Sequence, residues 1–179
     1  MRYSMILATI TFLIIAGCKN STAPEDMLVL SDSFEVNHVG SYTGWHIDPT
    51  LTDFSDDAPD GGGSWSLSLT PGNTSEGYAI KYLEPENGDG IYRMSIWVKR
   101  YGSAGNYASI KFGKMEVDST LTLKEEIPDP DSSWRNIIIT DTLTFETGDR
   151  IYIKLSAGTS EVETWQSLFD LVRMEKLAE

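Results

Sequence analysis

Three stretches of the chain alternate apolar and polar residues with a period of two. Ser64 to Thr70 reads SWSLSLT, with Trp65, Leu67 and Leu69 set against serines. Tyr92 to Arg100 reads YRMSIWVKR, with Tyr92, Met94, Ile96 and Val98 facing one way and Arg93, Ser95, Trp97 and Lys99 the other. Ile151, Ile153 and Leu155 alternate with Tyr152 and Lys154. Such alternation predicts half-buried strands. Weaker strand patterns run over Met27 to Val36, Tyr78 to Leu83, Tyr107 to Phe112, Val117 to Leu123, Asn136 to Phe145 and Leu168 to Glu175. Turn residues punctuate them: Asp60-Gly61-Gly62-Gly63, Pro71-Gly72-Asn73, Asn87-Gly88-Asp89-Gly90, Pro128-Asp129-Pro130-Asp131 and Gly148-Asp149. The acidic, glycine-rich stretch from Thr50 to Gly63 reads as a long surface loop. From Met27 onward no stretch sustains a helical period over three turns. The expectation is an all-β fold, an antiparallel β-sandwich of the jelly-roll kind.

The first residues follow another pattern. Arg2 precedes an apolar run from Met5 to Ala16, interrupted only by Thr9 and Thr11, and small residues then lead to a cysteine: Ile15-Ala16-Gly17-Cys18. This is the layout of an export leader, and the run is shorter than the about 20 residues a membrane helix needs. The Ile-Ala-Gly-Cys stretch resembles the lipobox of bacterial lipoproteins, with Ile15 where Leu is usual. The resemblance implies a diacylglycerol on the Cys18 thiol, with Cys18 as the mature N-terminus. Lys19 rather than Asp follows it, which resembles the sorting pattern for the outer membrane in diderm bacteria. The expected division is a leader over 1–17, a lipidated N-terminus and flexible tether over 18–26, and a β-sandwich domain over 27–179. The expected location is the cell envelope, with lipid as the only membrane attachment.

Composition narrows the partners. Removing the leader with Arg2 leaves 13 basic against 27 acidic residues, a net charge of −14. Nucleic-acid phosphates and anionic lipid surfaces both need lysine and arginine, so such an excess of acid argues against either. It is compatible with divalent cations and with neutral partners such as sugars. The single cysteine, assigned to lipid, leaves no disulfide. Catalytic patterns are missing: the only histidines are His38 and His46, and no G-x-S-x-G, P-loop or dinucleotide fingerprint occurs. Asp53, Asp56, Asp57 and Asp60 lack EF-hand spacing.

Several segments together resemble the galactose-binding-like jelly rolls, which include carbohydrate-binding modules found beside cellulases and xylanases. They are Phe34-Glu35, Gly44-Trp45, the strand Tyr92 to Lys99, Ser133-Trp134-Arg135, Gly148-Asp149 and the closing stretch Phe169 to Glu175. The resemblance spans Met27 to Leu177. It implies a structural calcium where the first and last strands meet, with Glu35 and Asp170 at the matching positions; the alternative is that both are ordinary edge-strand acids. Ser31 stands where the family often has Asn, which leaves the ligand set open.

Aromatic rings on the polar side of a strand invite a binding role, because a ring can stack on the apolar face of a sugar while nearby polar groups take its hydroxyls. Trp97, with Arg93 and Lys99 on the same face, is the foremost candidate. Tyr152 and Lys154 would extend that platform if their strand shared its sheet. Tyr42, Trp45 and His46 form a possible rim, with Trp45 expected to pack inward. Trp134 is also expected to pack, and Trp165 is undecided. The sequence therefore points to a non-catalytic, lipid-anchored module binding a glycan or cell-wall polysaccharide. The alternative is a structural jelly-roll subunit docking onto other envelope proteins without a glycan.

Overall fold

A computed structural model describes residues 26–101, 108–128, 132–158 and 166–178. Cys18, the leader, the tether up to residue 25, Tyr107 and Trp165 lie outside these. Every regular element among the described residues is a strand: β1 (Met27–Asp32), β2 (Glu35–Val36), β3 (Val39–Gly40), β4 (His46–Ile47), β5 (Thr52–Ser55), β6 (Ser66–Leu69), β7 (Tyr78–Leu83), β8 (Gly90–Tyr101), β9 (Ser109–Met115), β10 (Leu121–Glu126), β11 (Arg135–Leu143), β12 (Arg150–Ser156) and β13 (Gln166–Lys176). All the pairings are antiparallel.

Two sheets carry the fold. One has the order β11-β8-β13-β6-β5, with β1 also on β13; the other has the order β10-β9-β12-β7-β4. β2 and β3 form a separate hairpin. The core lies between the sheets. Tyr92, Met94, Ile96 and Val98 of β8 enter it from one side, and Ile110, Phe112, Ile151, Ile153 and Leu155 from the other, all essentially inaccessible. Period-two alternation thus places each long strand with one face inward.

The main differences from the sequence expectation are local. Thr52–Ser55, expected inside a loop, is a strand paired with β6. Its single core-directed aromatic, Phe54, lies opposite Leu67, too little for a periodic signal. The strand expected over Val117 to Leu123 starts only at Leu121, because Glu116, Ser119 and Thr120 close a turn, with Ser119 at φ 71°. The β6 serines, expected outward, are covered as well: Ser66 donates to the Asp57 carbonyl at 2.7 Å, so the loop after β5 lies over them.

β13 organises the functional geometry. β8 pairs along its length on one side. On the other side its first half pairs with β6 and its second half with β1. The handover coincides with a bulge between Asp170 and Arg173, where Leu171 adopts φ 49°. A bulge bends a strand and re-aims its side chains, and here it leaves Asp170 buried. A polar tie also joins the sheets. Asp32 accepts hydrogen bonds from Lys81 Nζ at 3.1 Å and Trp45 Nε1 at 2.9 Å. Trp45 is 6 % exposed and tilts on Phe34, so it packs inward as expected.

Candidate functional site

The expected binding residues fall on two sheets. Trp97, Arg93 and Lys99 stand on the outer face of the first sheet, through β8. Tyr152 and Lys154 stand on the outer face of the second, through β12. They cannot form one platform, because the core separates the two faces. Arg93 is engaged by Glu175 at 2.7 Å and Asp26 at 3.0 Å. Lys99 is 2.6 Å from Asp57, which also accepts from Trp134 Nε1 at 3.0 Å. That end of the first face is therefore tied to the acidic loop, and Trp134 packs there.

The second sheet gathers the denser set of rings. Register puts Tyr152 opposite Tyr82, Lys154 opposite Ile80 and Ser156 opposite Tyr78 on β7, and His46 of β4 opposite Ile80. Antiparallel partners share a face, so His46, Tyr78, Ile80, Tyr82, Tyr152 and Lys154 stand together. The rings touch in sequence: His46 meets Tyr82 at 5.5 Å and Tyr82 meets Tyr152 at 5.6 Å between centroids, both edge-on. Tyr152 is only 6 % exposed, while Tyr78 and Tyr82 are half-buried and His46 is exposed. Tyr152 is thus the floor against which Tyr82 stands, and the accessible rings belong to β7 and β4.

Polar groups interleave with these rings. Lys154 lies 5.8 Å from the Tyr78 ring centroid and is ion-paired to Glu76. Opposite Lys154 on β9 is Lys111, 3.5 Å from Glu125, whose carboxylate also accepts from Ser109 Oγ at 2.5 Å. Each lysine thus has a carboxylate beside it, and the charges on the face balance. Burial pushes the Glu76 carboxyl up, but the bond and charge of Lys154, with Ser156 and Lys111, outweigh it and hold it below the ordinary value. Burial pushes the Tyr152 hydroxyl up to about 12, with Tyr82 and Glu76 adding to the rise. Such a face offers apolar rings and fixed hydrogen-bonding groups without net charge, which suits an uncharged polyol more than an anion.

A second polar feature lies where β1 and β13 approach. Asp170 is fully buried and its Oδ2 has no hydrogen-bond partner; its Oδ1 accepts from the Leu171 amide at 2.7 Å. Burial, opposed by that amide and reinforced by Glu35 and Asp32, pushes its carboxyl up to about 7. Glu35 Oε2 accepts from the Ser64 amide at 2.7 Å and the Trp65 amide at 3.2 Å. The glycine loop covers both acids. A Cβ on Gly62 would collide with Asp170 Oδ2, and one on Gly63, at φ 88°, would come within 2.6 Å of Glu35 Oε2. Among the described residues no three His, Cys, Asp or Glu side chains converge in metal-holding geometry. The donor set is therefore two carboxylates beside a close-lying backbone. Carboxylate oxygens are the ligand type calcium takes, and the absence of converging His or Cys among the described residues does not suit zinc.

Three solved structures place this architecture. The chain is similar to a protein described as Family 16 Carbohydrate Binding Module-2, with TM-score 0.58 and 14 % identity over 78 % of this chain and 96 % of that one. It is similar to the CBM22-1 xylan-binding domain of Paenibacillus barcinonensis Xyn10C, with TM-score 0.59 and 14 % identity over 86 % and 97 % of the two chains. It is also similar to TmCBM61 in complex with β-1,4-galactotriose, with TM-score 0.52 and 13 % identity over 76 % and 90 %. The fold is the β-sandwich of carbohydrate-binding modules. No protein-family model matches the chain, and no curated protein matches it.

Sequence reasoning singled out Tyr152 and Lys154 but missed Tyr78, Tyr82, Glu76 and Lys111. The stretch YAIKYL has apolar residues in both of its alternating sets. A hydropathy reading buries Tyr78, Ile80 and Tyr82, yet the structure turns Ala79, Lys81 and Leu83 toward the core side. The signal that could have found the face is a strand whose aromatic set opposes a set containing Ala and Lys.

Proposed function

We propose that this chain is a non-catalytic module that binds a neutral glycan through the outer face of its second sheet. The observation that carries this reading is the run of contacting rings His46, Tyr82 and Tyr152 beside charge-balanced Lys154 and Lys111. The fold shared with modules described as binding xylan and β-1,4-galactotriose supports it. In this reading Tyr82 and Tyr78 stack on sugar rings, His46 forms the rim, and Lys154, Glu76 and Lys111 exchange hydrogen bonds with hydroxyls.

Two accompanying roles belong to the same proposal. Cys18 carries the lipid that holds the module at the cell envelope, with 19–26 as the tether. Glu35 and Asp170 hold calcium, whose charge would relieve the unpartnered Asp170 oxygen and stiffen the meeting of β1 and β13. The test is affinity electrophoresis and calorimetry against β-1,4-galactotriose, xylohexaose and a wider neutral glycan panel. Retardation by at least one neutral glycan, strongly weakened in Tyr82→Ala, is the expected result; no retardation by any member would refute the reading.

A further inference from the structure

The first sheet has its own recess, away from the tyrosine face. It has a volume of about 250 Å³ and is lined by Ser31, Ser95, Trp97, Asn136, Leu171, Val172 and Arg173. Trp97 and Asn136 are paired across β8 and β11, and Ser95 lies opposite Ile138, which is 59 % exposed. Ser31 of β1 is paired with Arg173 of β13. Trp97, Leu171 and Val172 therefore supply its apolar surface, and hydroxyl, amide and guanidinium groups from four different strands form its rim.

Two further features give the recess its character. The Asp170 to Arg173 bulge, with Leu171 at φ 49°, places Leu171 in its wall. A bulky residue at positive φ is strained, and such strain recurs at ligand-binding positions. Among the described residues lining it, the one charged group is Arg173, whose Nε donates to Glu175 Oε1 at 2.7 Å. The recess consequently offers an indole ring and uncharged donors and acceptors, with its one cation compensated. That combination selects a neutral sugar ring over a phosphate or carboxylate. Its volume is below the ~300–1,000 Å³ of drug-sized ligand pockets, so it accommodates a short or terminal unit in place of a chain laid across the face.

We propose that this recess is a second sugar-binding site, so that the module grips glycan on both outer faces. The second site rests on the glycan-binding reading of the tyrosine face but has its own outcome. Two sites on opposite faces cannot engage the same run of adjacent sugar units, so they bind separate chains or distant parts of one. Bivalence of this kind multiplies retention on a polymer without tightening either site.

The test is isothermal titration of the protein with β-1,4-galactotriose and with xylohexaose, for wild type, Trp97→Ala, Asn136→Ala and Tyr82→Ala, with melting temperatures recorded for each. Asn136 is exposed and supplies the check if Trp97→Ala fails to fold. The expected result is two sugar equivalents for wild type, falling to one in Trp97→Ala, in Asn136→Ala and in Tyr82→Ala. Single-equivalent binding abolished by Tyr82→Ala, and unchanged in Asn136→Ala, would overturn the second site and leave the first standing. Absence of binding by wild type to these two sugars and to the wider neutral glycan panel would overturn both.

Discussion

Tyr82 and Tyr152 face each other across the β7–β12 pair, with ring centroids 5.6 Å apart and planes at 66°. The contact divides their roles. Tyr152 is covered and supports; Tyr82 is accessible and stands beside His46. Tyr82→Ala should weaken glycan binding at this face at least tenfold, or about 1.4 kcal/mol, with little change in melting temperature. Tyr152→Ala should instead lower stability by about 3 kcal/mol, as loss of a large buried ring does. Calorimetric titration and thermal melts of the two variants separate the roles.

The Lys154–Glu76 pair should be coupled. Removing one partner leaves the other half-buried beside Tyr78. Lys154→Met alone should cost about 1 kcal/mol after allowing for solvent screening, and the Glu76→Gln/Lys154→Met double variant should recover most of it. A double-mutant cycle on thermal stability reads this coupling. Glycan affinity of the wild type should change little with salt, because the ligand is uncharged.

Asp170 should make stability depend on pH and, if the proposed calcium binds, on calcium in a set direction. Its folded carboxyl is raised to about 7, above its ordinary value of 3.8. Between those values the folded state holds a proton that the unfolded state has released. Without calcium, stability therefore rises through this group as pH falls from 7 toward 4, by up to about 1.4 kcal/mol for each pH unit crossed. Calcium should raise the melting temperature at pH 7.5 and have much less effect at pH 5, where the proton competes. Asp170→Asn should raise the calcium-free melting temperature and abolish the calcium response. Melts across pH with calcium or chelator check all three.

Glycine at two sites is required by close approach. A Cβ on Gly113 would collide with the Thr122 carbonyl of β10. Gly113→Val should therefore separate β10 from β9 and destabilise the domain by about 1–3 kcal/mol, the usual cost of overpacking. Gly62→Ala should disturb the Asp170 cradle and blunt the calcium response while leaving the tyrosine face able to bind.

Much of the fold was legible because β8, β12 and β6 carry one-sided alternation. The pairing of strands was not, and it separates Trp97 from Tyr152. Two residues on equally patterned strands look alike until register and sheet order are known. The facing of β7 was hidden for a different reason: its core-side set is the poorer one, since Lys81 is recruited inward by Asp32. The convergence of Glu35, Gly62 and Asp170 spans most of the chain. Local periodicity carries no trace of it; only the family resemblance pointed to the two acids.

The lipid anchor has its own check. Cys18→Ala should release the protein from membranes or leave it unprocessed, and metabolic labelling with a fatty acid should be lost. Labelling that survives the change would contradict the anchor without touching the binding face.

The central claim is that the second sheet's outer face binds neutral glycan. Affinity electrophoresis of wild type and Tyr82→Ala through gels containing xylan or β-1,4-galactan tests it most directly. The expected result is retardation of the wild type by at least one polymer, reduced at least tenfold in Tyr82→Ala at equal melting temperature. Equal retardation of both proteins, or of neither across the neutral panel, would contradict it.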